Sequence, residues 1–172
     1  MDALFINKFN HTKENLIEMN QAYKGIKFII IRVILFAAFL ILSAFWIFEL
    51  WDIISGIGTL VLGVIFAILP SILDRYKISK DEKRLILLYN EIPESTTCFY
   101  DDHLLSKSET TNGELNLEYK KIIKVKQSRN LYLLILKERL VVMVDKNRFE
   151  KGTCEEFEKF IKSKAVNAKI KL

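Results

Sequence analysis

Two long apolar segments dominate the order of hydrophobic and polar positions along the chain. They run from Phe28 to Phe48 and from Ile53 to Leu73, and as helices each extends about 30 Å, the thickness of a bilayer core. Between Ile26 and Leu73 the only charged residues are Lys27, Arg32, Glu49 and Asp52. We therefore predict a hairpin of two transmembrane helices. The alternative, a pair of buried helices in a soluble core, fits such long and pure apolar runs less well.

Basic residues flank the two spans on one side only. The N-terminal flank carries four lysines and the segment after the second span carries five basic residues, whereas the loop Glu49–Asp52 has none. Because positive charge favours the cytosolic side, we predict two spans in the cell membrane with both termini in the cytosol. Arg32 lies about one turn inside the first span, from where its side chain can extend to the headgroups.

Shorter elements are predicted on either side of the hairpin. Ala3 to Phe9 is typical of a strand, and Thr12 can cap a helix that continues to Tyr23. Asp74 to Tyr89 predicts a helix that leaves the membrane, and Pro93 is expected to end it. The chain then divides into an N-terminal cytosolic segment (1–25), the hairpin (26–73), a juxtamembrane helix and linker (74–94) and a β-rich domain (95–172).

The β-rich domain begins with short runs separated by turn residues. Thr96–Tyr100 and His103–Thr110 flank a turn at Asp101-Asp102, and Asn112-Gly113 is a strong hairpin signal. Leu115, Leu117 and Tyr119 then alternate on one face of a further strand. In the next strand the alternation places Ile123 and Val125 in the core, with Lys124 and Lys126 pointing away from it.

Two continuous apolar runs follow, Leu131–Leu136 and Leu140–Val144, across a turn at residues 137–139. Such runs are typical of strands covered on both faces. The last element is a helix, because Thr153 and Glu156 have the spacing of a capping box. Six or seven strands with this helix predict a small α+β, pleckstrin-homology-like domain behind the membrane hairpin.

Three stretches of this domain carry a family resemblance. They are the turn Tyr100-Asp101-Asp102, the run LEYKKIIKV at 117–125 and the helix EEFEKFIK at 155–162. Together with the two spans they resemble the YcxB-like membrane proteins, whose C-terminal domain is related to pleckstrin-homology-like modules. The resemblance implies the fold and the topology, and it implies no defined activity.

The composition argues against a metal or catalytic centre. The chain has only two histidines and two cysteines, and neither cysteine stands at the spacing of a zinc ligand pair. Nothing near Cys98, Cys154 or His103 in the sequence supplies the third group that a nucleophilic triad requires. We therefore predict no enzyme activity and no cofactor. Nucleic acid is not an expected partner, because the basic cluster of the domain is small and has no aromatic platform beside it.

The second span carries a ridge of small side chains at every fourth residue. Such a ridge lets another helix approach closely. The partner is either the first span, which offers Ala37, Ala38, Ser43 and Ala44, or a second copy of the chain in a homodimer. The ridge consists of Ser55, Thr59, Gly63, Ala67 and Ser71.

A basic set surrounds one predicted strand of the domain. Held beneath the inner leaflet, it can contact anionic membrane lipids or a protein partner. The alternative is a solvated strand face in a protein of net charge +5. The set consists of Lys120, Lys121, Lys124, Lys126 and Arg129.

The expected function is that of a non-enzymatic integral membrane protein. Its cytosolic domain would dock a protein partner or the inner leaflet. The alternative is a subunit of a membrane enzyme or transport complex, which convergent buried carboxylates or histidines in a cleft would favour.

Overall fold

The computed structural model of the chain describes residues 2–110, 113–137 and 140–171. These form two compact units. The β-rich unit combines Met1–Tyr23 with Ser79–Leu172, and the helical unit comprises Lys24–Ile78. The fold class predicted from the sequence is confirmed, with a helical hairpin and a small α+β domain that carries a helix near its C-terminus.

The β-rich unit contains two sheets. Their strands are β1 (Phe5–Asn10), β2 (Glu94–Phe99), β3 (His103–Ser108), β4 (Glu114–Glu118), β5 (Ile122–Gln127), β6 (Leu131–Leu136), β7 (Val141–Asp145), β8 (Phe149–Lys151) and β9 (Lys169–Lys171). The five-stranded sheet has the order β4-β3-β2-β1-β8 and is antiparallel throughout. The four-stranded sheet has the order β7-β6-β5-β9, in which only β9 runs parallel to its neighbour.

This unit also contains the helices α1 (Lys13–Lys24) and α4 (Cys154–Lys164) and the last residues, 79–89, of the second long helix. The predicted capping box of α4 is present, since the Thr153 hydroxyl accepts from the Glu156 amide and the Glu156 carboxylate accepts from the Thr153 amide. Gly152 precedes it with a φ of 82°, a conformation that favours glycine. A Cβ there would also lie 2.2 Å from the Phe5 ring, so no larger residue fits.

The strand β6 has apolar neighbours on both faces, as its sequence predicts. Tyr132, Leu134 and Leu136 belong to the main core, where α4 contributes Phe157 and Ile161. The alternate residues of β6 form a second cluster with side chains from α1 and β7. Its members are Phe9, Leu131, Leu133 and Ile135, with Met19, Ala22, Tyr23, Val141 and Met143 packed against them.

The N-terminal segment is part of the β-rich unit, whereas the sequence division separated 1–25 from 95–172. The predicted strand is present as β1, and it lies between β2 and β8 in the five-stranded sheet. The buried Asn7 side chain also exchanges two hydrogen bonds with the backbone of Asp145 in β7, at 2.7 and 2.9 Å. A domain cut at Ser95 would therefore lack an internal strand.

A β-bulge changes the face of the sheet on which the side chains of β5 lie. The register with β6 shifts between Ile122 and Lys124, so Ile122 and Val125 are fully buried while Ile123 is 45% exposed. The prediction that Ile123 lies in the core was wrong, because a bulge inserts one residue and reverses the alternation beyond it. Lys124 and Lys126 still share the outer face.

The second apolar helix is longer than the sequence division implied. Helix α3 (Ile53–Tyr89) includes both the second span and the predicted juxtamembrane helix. It ends at Tyr89, as predicted, but the residue that ends it is Asn90 and not Pro93, because Asn90 adopts a φ of 58° and its amide bonds to the carbonyl of Ile86. Asparagine tolerates this left-handed conformation, which closes many helices.

Two predicted turns fall partly outside the described residues. They are Asn112-Gly113 and the turn at 137–139, where Asn112, Glu138 and Arg139 are not described. The strands that flank them, β3 with β4 and β6 with β7, pair antiparallel as expected.

The helical unit pairs α2 (Ile26–Phe48) with α3 through close backbone approaches. A Cβ on Gly63 would lie 2.6 Å from Cβ of Phe39, and one on Gly56 would lie 2.3 Å from the Ile47 side chain. The buried Ser43 hydroxyl donates to the carbonyl oxygen of Gly56 at 2.7 Å. Small residues therefore set the spacing of this hairpin.

The partner surface on α2 differs from the expected one. Ser43 faces α3 as predicted, but Ala37, Ala38 and Ala44 are exposed. Phe39 and Ile47 take their place against the glycines. Large side chains from α2 thus fill the grooves beside the small residues of α3.

Gly63→Leu is predicted to destabilise the hairpin, with Gly58→Leu as the matched control. A leucine at Gly63 must displace Phe39, and overpacking of this kind costs about 1–3 kcal/mol. A Cβ at Gly58 meets nothing within 4 Å, so the same substitution there should be neutral or slightly stabilising. Thermal unfolding of both variants in one detergent would measure the difference. Equal melting temperatures would contradict this packing.

Candidate functional site

Four lysines share the outer face of the two strands β5 and β9. The parallel register places Lys124 beside Lys169 and Lys126 beside Lys171. Val125 and Ile170, the residues between them, point to the other side, toward the main core. We call these four lysines the basic face. Lys169 and Lys171 do not belong to the predicted basic set, although the alternation Lys-Ile-Lys at 169–171 is itself a strand signal.

Lys126 differs from the other members because it binds backbone oxygens. Its ammonium group donates to the carbonyls of Ala22 and Tyr23 at 2.6 and 2.7 Å. Carbonyls in the last turn of a helix have no partner within the helix, so Lys126 caps α1. Burial, and then the like charges of Lys124 and Lys171, lower the pKa of Lys126.

The rest of the predicted basic set is dispersed. A 3₁₀ turn at Tyr119–Lys121 places Lys120 next to Glu118, with which it forms an exposed ion pair. Lys121 is exposed just before β5, and Arg129 is exposed in the turn after it. Of the predicted set, only Lys124 and Lys126 therefore belong to the basic face.

Helix α1 is also anchored through Glu18. Its carboxylate accepts from the amide of Asn130 and the hydroxyl of Ser128, both at 2.7 Å, and from the Asn130 side chain at 3.0 Å. Burial opposes ionisation of Glu18, but these bonds and the charge of Lys146 outweigh it and lower the pKa of the carboxyl group.

These anchors fix the direction of α1 across the four-stranded sheet. Glu18 lies at the turn that follows β5, and Ala22 and Tyr23 lie beside Lys126, further toward the start of that strand. The helix therefore runs antiparallel to β5. Its C-terminus points to the end of the sheet at which β5 begins.

In the helical unit all five small residues of the predicted ridge are at least partly buried. The Ser55 hydroxyl donates to the Asp52 carboxylate at 2.7 Å, and Thr59 donates to the Ser55 carbonyl at 2.8 Å. Gly63 contacts Phe39, and Ala67 and Ser71 continue the same side of α3. Their neighbour Ile54, in contrast, is 86% exposed. The ridge thus faces α2 within one chain.

Arg32 lies against α3 as well. Its guanidinium donates to the Ser71 hydroxyl at 2.6 Å and lies 4.5 Å from the centre of the Phe28 ring. That this side chain can also extend to the headgroups stays a prediction. Ser71 lies on α3, so the sequence of the first apolar segment alone does not predict this polar partner for Arg32.

Groups with catalytic or metal-binding chemistry are scattered. Within residues 2–110, 113–137 and 140–171, no three His, Cys, Asp or Glu side chains are placed to hold a metal ion. Cys154 contacts the Tyr132 hydroxyl at 3.2 Å, whereas Cys98 lies on β2. The pair Asp101-Asp102 forms the turn between β2 and β3, as predicted.

Comparison with known proteins supports the resemblance found in the sequence. Residues 99–161 match the model of the YcxB-like protein family. The matched segment extends from the end of β2 into α4, so it contains β5 and its bulge. No curated protein matched the chain.

Glu18→Gln is predicted to loosen α1 and to change the acid sensitivity of the β-rich unit. Since the folded pKa of Glu18 is lowered from 4.5, its stabilising effect is present above that pH and is lost as the pH falls below it. The variant should lose about 1 kcal/mol at neutral pH and less at acidic pH. Glu14→Gln removes the same charge from an exposed position of α1 and should have little effect. The free energy of unfolding of the full chain is measured in detergent at neutral and at acidic pH. Equal losses of stability for Glu18→Gln and Glu14→Gln would contradict the anchoring role of Glu18.

Proposed function

We propose that this protein is an integral membrane protein of the cell membrane, with both termini in the cytosol, whose β-rich unit docks on the anionic inner leaflet. The basic face is the docking surface. The proposal treats the protein as a non-enzymatic binding module, and it takes lipid phosphates as the ligands of the lysines.

The juxtaposition of Lys124, Lys169 and Lys171 on one face carries this proposal. Within the described part of the chain, no carboxylate lies within salt-bridge distance of these three side chains. Each lysine near an anionic membrane surface contributes about 1 kcal/mol to binding. Three unpaired lysines on adjacent strands therefore make a positively charged surface that can attract anionic lipid.

Membrane insertion is supported by the exposure of α2 and α3. Both helices are long and apolar enough to span a bilayer, and only 6% and 11% of their most apolar windows are buried. A core helix of a soluble protein would be mostly buried. Apolar surface of this extent requires a nonpolar environment, which the acyl chains of a bilayer supply.

Chain connectivity keeps the docking surface close to the bilayer. Lys126 binds the carbonyl of Tyr23, and α2 begins at Ile26, three residues later. Three residues extend at most about 11 Å. The basic face therefore lies within reach of the leaflet from which the first span emerges.

A protein partner remains the second candidate for the basic face. An acidic protein surface would satisfy the same lysines, and a subunit role in a membrane enzyme or transport complex belongs to this class. The lipid proposal is preferred because the three-residue connection limits how far Tyr23, which Lys126 binds, can lie from the start of the first apolar helix. No comparable observation favours a protein surface.

Neutralising the basic face is predicted to release the β-rich unit from anionic lipid. The full chain is reconstituted in nanodiscs with a fluorescent donor at Asn167→Cys and an acceptor on the lipid headgroups. Energy transfer should be higher with anionic than with zwitterionic lipid, and it should fall as salt screens the charges. The triple change Lys124→Gln, Lys169→Gln and Lys171→Gln should abolish the difference. Lys126 is left unchanged because it caps α1.

The matched control removes three exposed lysines from other elements of the same unit, Lys107, Lys151 and Lys159. It should retain the dependence on anionic lipid. If the parent shows no such dependence, or if both triple variants lose it equally, the lipid proposal fails and a protein partner becomes the better explanation.

The topology is tested by single cysteines in a background in which Cys98 and Cys154 are serine. Asp2, Leu50 and Asn167 are suitable sites because all three are exposed, whereas Asn7 is buried. A membrane-impermeant maleimide applied to intact cells should label only Leu50→Cys. Labelling of Asn167→Cys without permeabilisation would reverse the proposed orientation.

A further inference from the structure

Three exposed apolar side chains lie at one end of the four-stranded sheet. Ile123 stands at the bulge near the start of β5, and Leu140 lies in the connection between β6 and β7, where its carbonyl accepts from the Leu136 amide at 2.9 Å. Val166 precedes β9, which starts beside Lys124 in parallel register. We call these three residues the apolar tip.

The members of the apolar tip are well exposed. Ile123, Leu140 and Val166 retain 45%, 51% and 80% of their accessible surface. One exposed apolar residue is ordinary on a protein surface. Three such residues from separate segments of the chain give this end of the sheet an apolar character, which a nonpolar contact would satisfy.

The charges at this end leave lysines without partners. Among the described residues, acidic side chains near this end already have partners, since Asp101 binds Lys164 at 2.6 Å and Asp102 contacts His103 at the same distance. Glu118 is paired with Lys120. Lys121, Lys137 and Lys169 are exposed at the same end, and in the described residues none of them has an acidic partner.

The apolar tip lies at the end of the unit from which the chain leaves for the first span. Helix α1 runs from Glu18, beside the turn after β5, to Tyr23, toward the start of β5. The tip residue Ile123 is next to that start. The tip therefore lies at the end of the unit that leads into the proposed membrane span, so lipid is the nonpolar environment that it is most able to reach.

We propose that the apolar tip inserts into the headgroup and upper acyl region of the inner leaflet, while the surrounding lysines bind lipid phosphates. This deepens the proposed function and rests on it. Apolar side chains ringed by basic ones bind an interface in this way, because the former bury surface at the acyl boundary and the latter neutralise the headgroups.

Depth measurements on the full chain in anionic nanodiscs test the insertion. The environment-sensitive fluorophore NBD is attached to single cysteines at Ile123, Leu140 or Val166, in the background lacking Cys98 and Cys154. Leu115 is the matched control, since it is an apolar residue, 37% exposed, on β4 of the other sheet. The three tip labels should emit at shorter wavelength and be quenched by lipids that carry a nitroxide near the headgroup, whereas the control should not.

A variant without NBD at the tip controls for insertion that the fluorophore itself could cause. Ile123→Ser, Leu140→Ser and Val166→Ser together should lower the ratio of docked to undocked unit about tenfold in the energy-transfer assay, because partial burial of three side chains is lost. All three positions are exposed, so the fold should tolerate the change. An unchanged ratio, or tip labels as solvent-exposed as the Leu115 label, would overturn the insertion.

The outcomes also separate this proposal from the one on which it rests. Docking that depends on anionic lipid without quenching of the tip labels would retain the basic face and refute insertion. Quenching that persists in zwitterionic nanodiscs and in the triple lysine variant would support insertion and refute docking by charge.

Discussion

The double-sided burial of β6 is the constraint on which the β-rich unit depends. One set of alternate residues packs into the core with α4, and the other set, Leu131, Leu133 and Ile135, must be covered from outside. Helix α1 provides that cover. Because α1 continues within three residues into the first long apolar helix, the packing of one strand also fixes where the chain leaves the β-rich unit.

Elements with local signals were predictable from the sequence, and elements set by long-range pairing were not. The capping box of α4 and the two apolar helices were confirmed because each depends on residues close together in the chain. The bulge at Ile123 and the positive φ of Asn90 escaped prediction. In both cases the local sequence is compatible with more than one backbone conformation, and tertiary packing selects between them.

The candidate site shows the same limit. Lys124 and Lys126 were predicted to share a face, and they do, yet Lys126 binds the end of α1 instead of facing solvent. Lys169 and Lys171 join the face only because β9 pairs with a strand more than forty residues earlier. A cluster of basic residues in the sequence therefore did not predict which charges act together.

The most direct test is paramagnetic broadening of backbone amide signals by nitroxide-labelled headgroups, measured on the full chain in anionic nanodiscs. Docking of the β-rich unit on the leaflet predicts strong broadening at Ile123, Lys124 and Lys169 near the start of β5. It predicts little broadening at Ser128 to Asn130, at the opposite end of the same sheet. Equal broadening at both ends, or none at either, would contradict docking of this unit on the leaflet.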